Sequence, residues 1–234
     1  MNTHEDFQEK FCVLIPVYNE QENVVKVAKQ LDALEIPYVF IDDGSTDKTL
    51  TTLWLKDIPA LAYFPNKGKG HAIKVGAKYL IALGYEWILF MDGDGQCAVE
   101  DIEKFDHALL FGDESTRIFI GNRMTNPELM PKIRYLANKF MSIIISKLSE
   151  QQIPDTQCGF RLIHKSVFEN IELKGEKFDM ESEMLVKTGQ AGMKITSVPI
   201  QCIYDKKRRS KIRLFRDTIN FVKMLLKVNK TKSN

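Results

Sequence analysis

The first half of the sequence switches repeatedly between two hydrophobic periods, and that alternation limits the possible folds more than any other feature. "FCVLIPVY" is an unbroken apolar run at residues 11–18, as expected of a parallel strand buried on both faces. The next stretch, "ENVVKVAKQLDALE", places Val24, Val27, Ala28, Leu31 and Leu34 at the three-and-four spacing of an amphipathic helix. The pattern recurs with "YVFIDDG" as strand and residues 47–58 as helix, then with "ALAYF" and 69–83. It continues with "EWILFMDGDG" and 99–111, and reaches a fifth strand at "RIFIGNR". Strands alternating with helices predict a mostly parallel sheet with helices on its faces.

The second half is less regular. Residues 131–148 read as a long helix with proline at its start, "DTQCGFRLI" as a loop entering a short strand, 178–192 as a helix ending at glycine, and "KITSVPIQCIYD" as a strand. No linker interrupts the chain, so 1–205 is expected to be one domain and 206–234 an extension. That extension holds eleven Lys or Arg against one acid, Asp217; its net +10 leaves the rest of the chain at −8. Such asymmetry points to an anionic partner for the tail. No run of about 18 uncharged apolar residues occurs, and "MNTHEDFQEKF" lacks the basic-then-apolar order of a signal peptide, so a cytoplasmic protein is expected. Cys12, Cys97, Cys158 and Cys202 lie too far apart for a zinc pattern and are expected to be free thiols, mostly buried.

Ligands of open α/β sheets collect beyond the carboxyl ends of the strands. Those positions carry Pro16, Tyr18, Asn19 and Glu20; Asp42, Asp43, Gly44 and Ser45; "NKGKG" at 66–70; Asp92, Asp94 and Gln96; and Gly121, Asn122 and Arg123. Asp92 and Asp94, two apart in an extended segment, project to the same side and can share a cation. Hard oxygen donors without nearby His or Cys select Mg2+ or Mn2+, with water and phosphate oxygens completing the shell. Gln96 can add a carbonyl oxygen. "NKGKG" directly precedes a helix, a geometry that favours anions, although it is neither a Walker A nor a GxGxxG motif. Each signal alone is also an ordinary polar turn; together they form a consistent set.

With these residues assembled, the chain resembles the family 2 inverting glycosyltransferases of the GT-A fold, and among them the polyprenol-phosphate (dolichol-phosphate) sugar synthases. The matching stretches are "LIPVYNE", "IDDGSTDKT", "NKGKGHAIKVG", "FMDGDGQ", "GNR", "DTQCGFRLI" and "FDMESEML", over roughly residues 11–205. The resemblance implies a Rossmann-like GT-A domain at 1–205; the basic run and helical pattern beyond it read as a basic amphipathic C-terminal helix within 206–234. It implies that Pro16, Tyr18, Glu20 and Asp43 line the base and ribose pocket of a nucleotide sugar, with Lys69 near its phosphates. Asp92 and Asp94 would hold Mg2+ or Mn2+ on the diphosphate, and Gln96 matches the family's D-x-D-x-Q variant. Arg123, Arg134, Arg209 and Lys211 look like residues that meet an acceptor phosphate. Gln157 and residues 179–181 would surround the sugar and acceptor, making Asp94, Asp179, Glu181 and Arg123 the catalytic set.

The acceptor is a question of proton chemistry. A hydroxyl needs a carboxylate base, and Asp155, Asp179, Glu181 and Glu183 are all candidates, with Glu181 and Glu183 equally readable as a solvated helix face. A phosphate monoester, with a second pKa near 6, is already anionic at neutral pH. The tail favours the latter: "KKRRSKIRLFRDTINFVKMLLKVNK" opposes Ile212, Phe215, Ile219, Val222 and Leu226 to basic residues, a composition suited to an anionic membrane surface or to docking on the domain. Relatives often carry C-terminal transmembrane helices and this sequence has none, so peripheral contact is expected. The expected activity is hexose transfer from a UDP- or GDP-sugar to a polyprenyl phosphate at the cytoplasmic membrane face. Transfer to a saccharide or lipid hydroxyl, and an idle nucleotide-sugar binder, are the alternatives. The tail has no recognisable nucleic-acid module.

Overall fold

The computed structural model describes residues 11–95, 97–175 and 179–201. The tail helix, Arg209, Lys211 and Gln96 lie outside the described residues. Among the described residues seven strands form one sheet: β1 (Phe11–Val17), β2 (Tyr38–Asp42), β3 (Ala60–Ala62), β4 (Trp87–Phe90), β5 (Thr116–Asn122), β6 (Arg161–His164) and β7 (Lys194–Pro199), in the order β3-β2-β1-β4-β6-β5-β7. The helices are α1 (Val24–Asp32), α2 (Thr49–Leu55), α3 (Lys69–Ala82), α4 (Ile102–Phe111), α5 (Lys132–Ser149), α6 (Lys165–Asn170) and α7 (Asp179–Gln190), with short 3-10 turns at Val99–Asp101 and Pro127–Leu129.

The mostly parallel sheet read from the sequence is present. Val13, Leu14 and Ile15 of β1 and Ile88 and Leu89 of β4 are fully buried, as a strand covered on both faces must be. Truncating one such side chain, for example Leu14→Ala, costs about 2–5 kcal/mol because the packed surroundings cannot close the cavity. The pattern places α3 over β1 and β2, α4 against β7, and α5 against α7. Cys12 and Cys158 are buried, and with Cys97 they are free thiols.

The structure adds to the sequence reading or departs from it at several elements. β6 runs antiparallel between β4 and β5, pairing Trp87 with His164 and Ile118 with Ile163. Strand direction is not encoded in a four-residue apolar run; it follows from the path of α5 and the loop after it. The helix expected from residue 47 starts at Thr49, because the Asp47 carboxylate accepts the Thr49 amide at 2.9 Å and forms a side-chain turn ahead of it. The short α6 was not anticipated, being too brief for its periodicity to register.

Candidate active site

β1, β2, β4 and β5 all end at one edge of the sheet, and side-chain hydrogen bonds join the loops that leave β1 and β2. Asn19, at φ +56°, a left-handed conformation that Asn tolerates, donates its amide to Ser45 Oγ at 3.0 Å and accepts the Thr46 amide on Oδ1 at 2.8 Å. Glu20 is buried, and its carboxylate accepts Asn23 Nδ2 at 2.6 Å. Pro16 is half-buried within β1, and Tyr18 is exposed just beyond it.

Asp43 acts as the staple for the loop after β3. Its carboxylate accepts the Tyr63 hydroxyl at 2.7 Å, Asn66 Nδ2 at 2.9 Å, and the backbone amides of Lys67 and Gly68, each at 2.8 Å. This fixes "NKG" directly ahead of α3. Gly44 lets the two loops meet: it sits at φ +69°, and a Cβ there would stand 2.8 Å from the Asn66 nitrogen.

Lys69, the first residue of α3, ties the two halves of the site together. Its Nζ lies 2.7 Å from Asp92 Oδ1 and 2.9 Å from Glu181 Oε2. Burial alone would raise the pKa of Asp92; the Lys69 ammonium overrides it, with Arg123 and Arg161 adding, so the carboxyl is held below its ordinary value. The reverse holds at Lys69, where burial opposes the charged form and the two carboxylates more than compensate, raising its pKa. Gly159 sits so close to Asp92 that a Cβ would come within 2.6 Å of Oδ2. Asp94 follows in the turn after β4, half-buried.

Arg123, just past β5, is held by Asp155 through two parallel contacts, Nε to Oδ2 at 2.7 Å and Nη2 to Oδ1 at 3.0 Å. Asp155 is wholly buried, so the pair is desolvated on one side. Arg134 is half-buried in the first turn of α5, Asp179 half-buried at the start of α7, and Gln157 follows Asp155 in the same loop.

Two carboxylates weighed as bases have structural duties. Asp155 is bound to Arg123, and Glu183 accepts the amides of Lys174 and Gly175 at 3.0 and 2.7 Å while pairing with Lys187 at 2.7 Å. Nor do Glu181 and Glu183 form a solvated helix face, since both are buried. The residue that sequence reasoning overlooked is Arg161. Only 2% exposed, it donates to the carbonyls of Cys158, Thr156 and Glu181 at 2.7, 2.9 and 2.9 Å, holding the loop behind Asp92 and the start of α7 in one place. The signal was available: an arginine at the head of an apolar strand must find acceptors.

Among the described residues no three His, Cys, Asp or Glu side chains gather into a protein-only metal cage. Asp92 and Asp94 nonetheless fit Mg2+ or Mn2+: they are hard oxygen donors, and the place beside Asp92 already attracts a cation, the Lys69 ammonium.

The chain is similar to several known proteins. The UDP-N-acetylglucosamine–dolichyl-phosphate N-acetylglucosaminyltransferase of Methanococcus voltae is 27% identical over 215 residues, spanning 82% of this chain and 85% of that protein. Dolichyl-phosphate beta-glucosyltransferase of Saccharomyces cerevisiae is 28% identical over 262 residues, 97% of this chain and 76% of its own. Glucosyl-3-phosphoglycerate synthase from Mycobacterium tuberculosis, solved with UDP, has the same GT-A fold, with a TM-score of 0.74 at 16% identity over 93% of this chain and 79% of that one. The model of glycosyl transferase family 2 matches residues 12–172, well over half the chain, and the protein therefore belongs to that family of glycosyltransferases.

Proposed function

We propose that the enzyme transfers a hexose, with inversion, from a UDP- or GDP-sugar to a polyprenyl phosphate of the dolichyl type at the cytoplasmic membrane face. The observation that carries this reading is the state of the candidate bases. Among the carboxylates available to deprotonate a hydroxyl, Asp155 is held in an ion pair with Arg123, Glu181 with Lys69, and Glu183 with Lys187. A phosphate acceptor needs no base, because it is an anion at neutral pH. The dolichyl-phosphate transferases among the relatives agree with this choice.

In this reading Pro16, Tyr18 and Glu20 border the nucleotide, with Asp43 shaping its pocket by holding the 63–68 loop. The diphosphate lies before α3, where the helix N-terminus and Lys69 face it. Asp92 and Asp94, with Gln96, hold Mg2+ or Mn2+, which when bound neutralises the charge that grows on the departing diphosphate. Arg123, locked in orientation by Asp155, receives the acceptor phosphate with Arg134, Arg209 and Lys211. An acceptor oxygen forms its bond to the anomeric carbon as the bond to the diphosphate breaks on the opposite face. Asp179 and Glu181, at the start of α7, border the sugar.

The test is direct. Enzyme, Mn2+, a labelled nucleotide sugar and polyprenyl phosphate in detergent should move label into the organic phase. Absence of transfer from every UDP- and GDP-hexose tried would refute the proposal, and label in a water-soluble product would favour a saccharide acceptor.

A further inference from the structure

Asp101 stands at the N-cap of α4, where an aspartate ordinarily accepts an amide from the first turn of its own helix. It makes no such bond. Its carboxylate, in a residue only 2% exposed, reaches instead across 100 positions of sequence and accepts the Gln201 amide on Oδ2 at 2.6 Å, while Lys104 Nζ lies 2.6 Å from Oδ1. Burying an acid carries a free-energy penalty that its partners must offset. A side chain placed to cap a helix, buried, and turned to a distant backbone amide is one whose task lies at that amide.

Gln201 lies just past β7, at the edge of the sheet that carries the site. β7 runs parallel to β5 with Pro199 beside Asn122, and the Ile200 amide donates to the Asn122 carbonyl at 3.2 Å, one residue before Arg123. Ile200 packs so closely on β5 that a Cβ at Gly121 would stand 2.7 Å from its Cδ1. On the other side, Asp101 closes the segment that begins at Asp92 and Asp94. Gln201 is thus held between the exit of β5, which carries Arg123, and the chain that follows the two aspartates after β4.

Five positions further on, the sequence reads "KKRRSK" at 206–211, five cations in six residues, with Arg209 and Lys211 among them. Five steps of chain span at most about 18 Å, so the place where Gln201 is fixed decides which part of the protein the first of these cations can reach. We propose that Asp101 is a positioning residue: by holding the Gln201 amide it fixes the departure of residues 206–211 beside Arg123, so that one anionic group can meet both sets of cations. That this anion is the phosphate of a polyprenyl acceptor rests on the function proposed above; the anchoring does not.

The bond can be removed from either end in the full chain. Asp101→Ala deletes the accepting oxygen and should raise the KM for polyprenyl phosphate at least about tenfold, the worth of a hydrogen bond to a charged group, while the KM for nucleotide sugar stays within about twofold of wild type. Gln201→Pro deletes the amide hydrogen; it should have the same effect, add nothing in the Asp101→Ala background, and carry the test where the alanine variant does not fold. Asp101→Asn keeps an oxygen for the amide and should restore most of the acceptor affinity. Lys104→Ala, which touches only Oδ1, should leave it unchanged. Independently of any acceptor, trypsin should cut within 206–211 several-fold faster in Asp101→Ala than in wild type, at a temperature well below both melting points. Equal cleavage rates would overturn the proposal, and so would donor and acceptor KM values that rise together, the sign of a general loosening of the fold. Faster cleavage in an enzyme that transfers sugar to no prenyl phosphate would uphold the anchor and refute the acceptor instead.

Discussion

Gly159→Ala isolates the placement of Asp92 from every other property of the site. Gly159 does not lie in the left-handed region, so alanine suits its backbone, and what forbids a side chain is space. The added Cβ would lie 2.6 Å from Asp92 Oδ2 and 3.1 Å from its Cγ, where ordinary contact begins at 3.4 Å. The carboxylate must retreat by about 0.8 Å, which disturbs its 2.7 Å contact with Lys69. A displacement near 1 Å in a catalytic array costs on the order of a hundredfold in rate, about 2.7 kcal/mol of barrier. Turnover with Mn2+ and a nucleotide sugar should fall by that amount, Mn2+ affinity measured by titration should weaken, and Tm should stay within a few degrees of wild type. In an Asp92→Ala background the substitution should cost nothing further, because the atoms it displaces are gone. Full activity in Gly159→Ala, or an undiminished effect without Asp92, would refute the reasoning.

Replacing Lys69 by Met should tighten Mn2+ binding in the absence of nucleotide by roughly ten- to hundredfold, after discounting the pair for the 40% exposure of the Asp92 side chain, while turnover falls; weaker Mn2+ binding would show that the lysine does not compete for that carboxylate. Glu183 is pulled toward a higher pKa by burial, but its bonds to Lys187 and to the Gly175 and Lys174 amides prevail and hold it below the ordinary glutamate value. Its stabilisation is therefore present above the ordinary value and lost as pH falls through the depressed one. Glu183→Gln should lower stability at pH 7 by about 1–2 kcal/mol and flatten the acid limb of a Tm-against-pH curve, and an unchanged acid limb would rule that out. Arg161→Lys keeps the charge but cannot reach three carbonyls at once, and urea unfolding should register a loss of about 3 kcal/mol.

The gathering of Asp43 and Asp92 at one edge of the sheet was legible in the sequence because each follows an apolar strand. Asp43 and Asp92 stand where the continuous apolar runs of β2 and β4 stop, and a sheet edge gathers such positions whatever the loops do. The surroundings of Arg123 were only partly legible. Arg123 follows the same rule after β5, but its partner Asp155 lies 32 residues on, beyond the whole of α5, and Lys69 meets Glu181 across more than a hundred residues. Pairings of that reach depend on β6 entering antiparallel, which no local pattern announces.

Lys69 also makes the two halves of the site answer to each other. It is shared between Asp92, at the end of β4, and Glu181, in the first turn of α7, within one buried network that includes the Arg161 guanidinium 3.9 Å from Glu181. A change at Lys69 would therefore act on Asp92 and Glu181 together, although the two carboxylates stand 89 positions apart in the sequence.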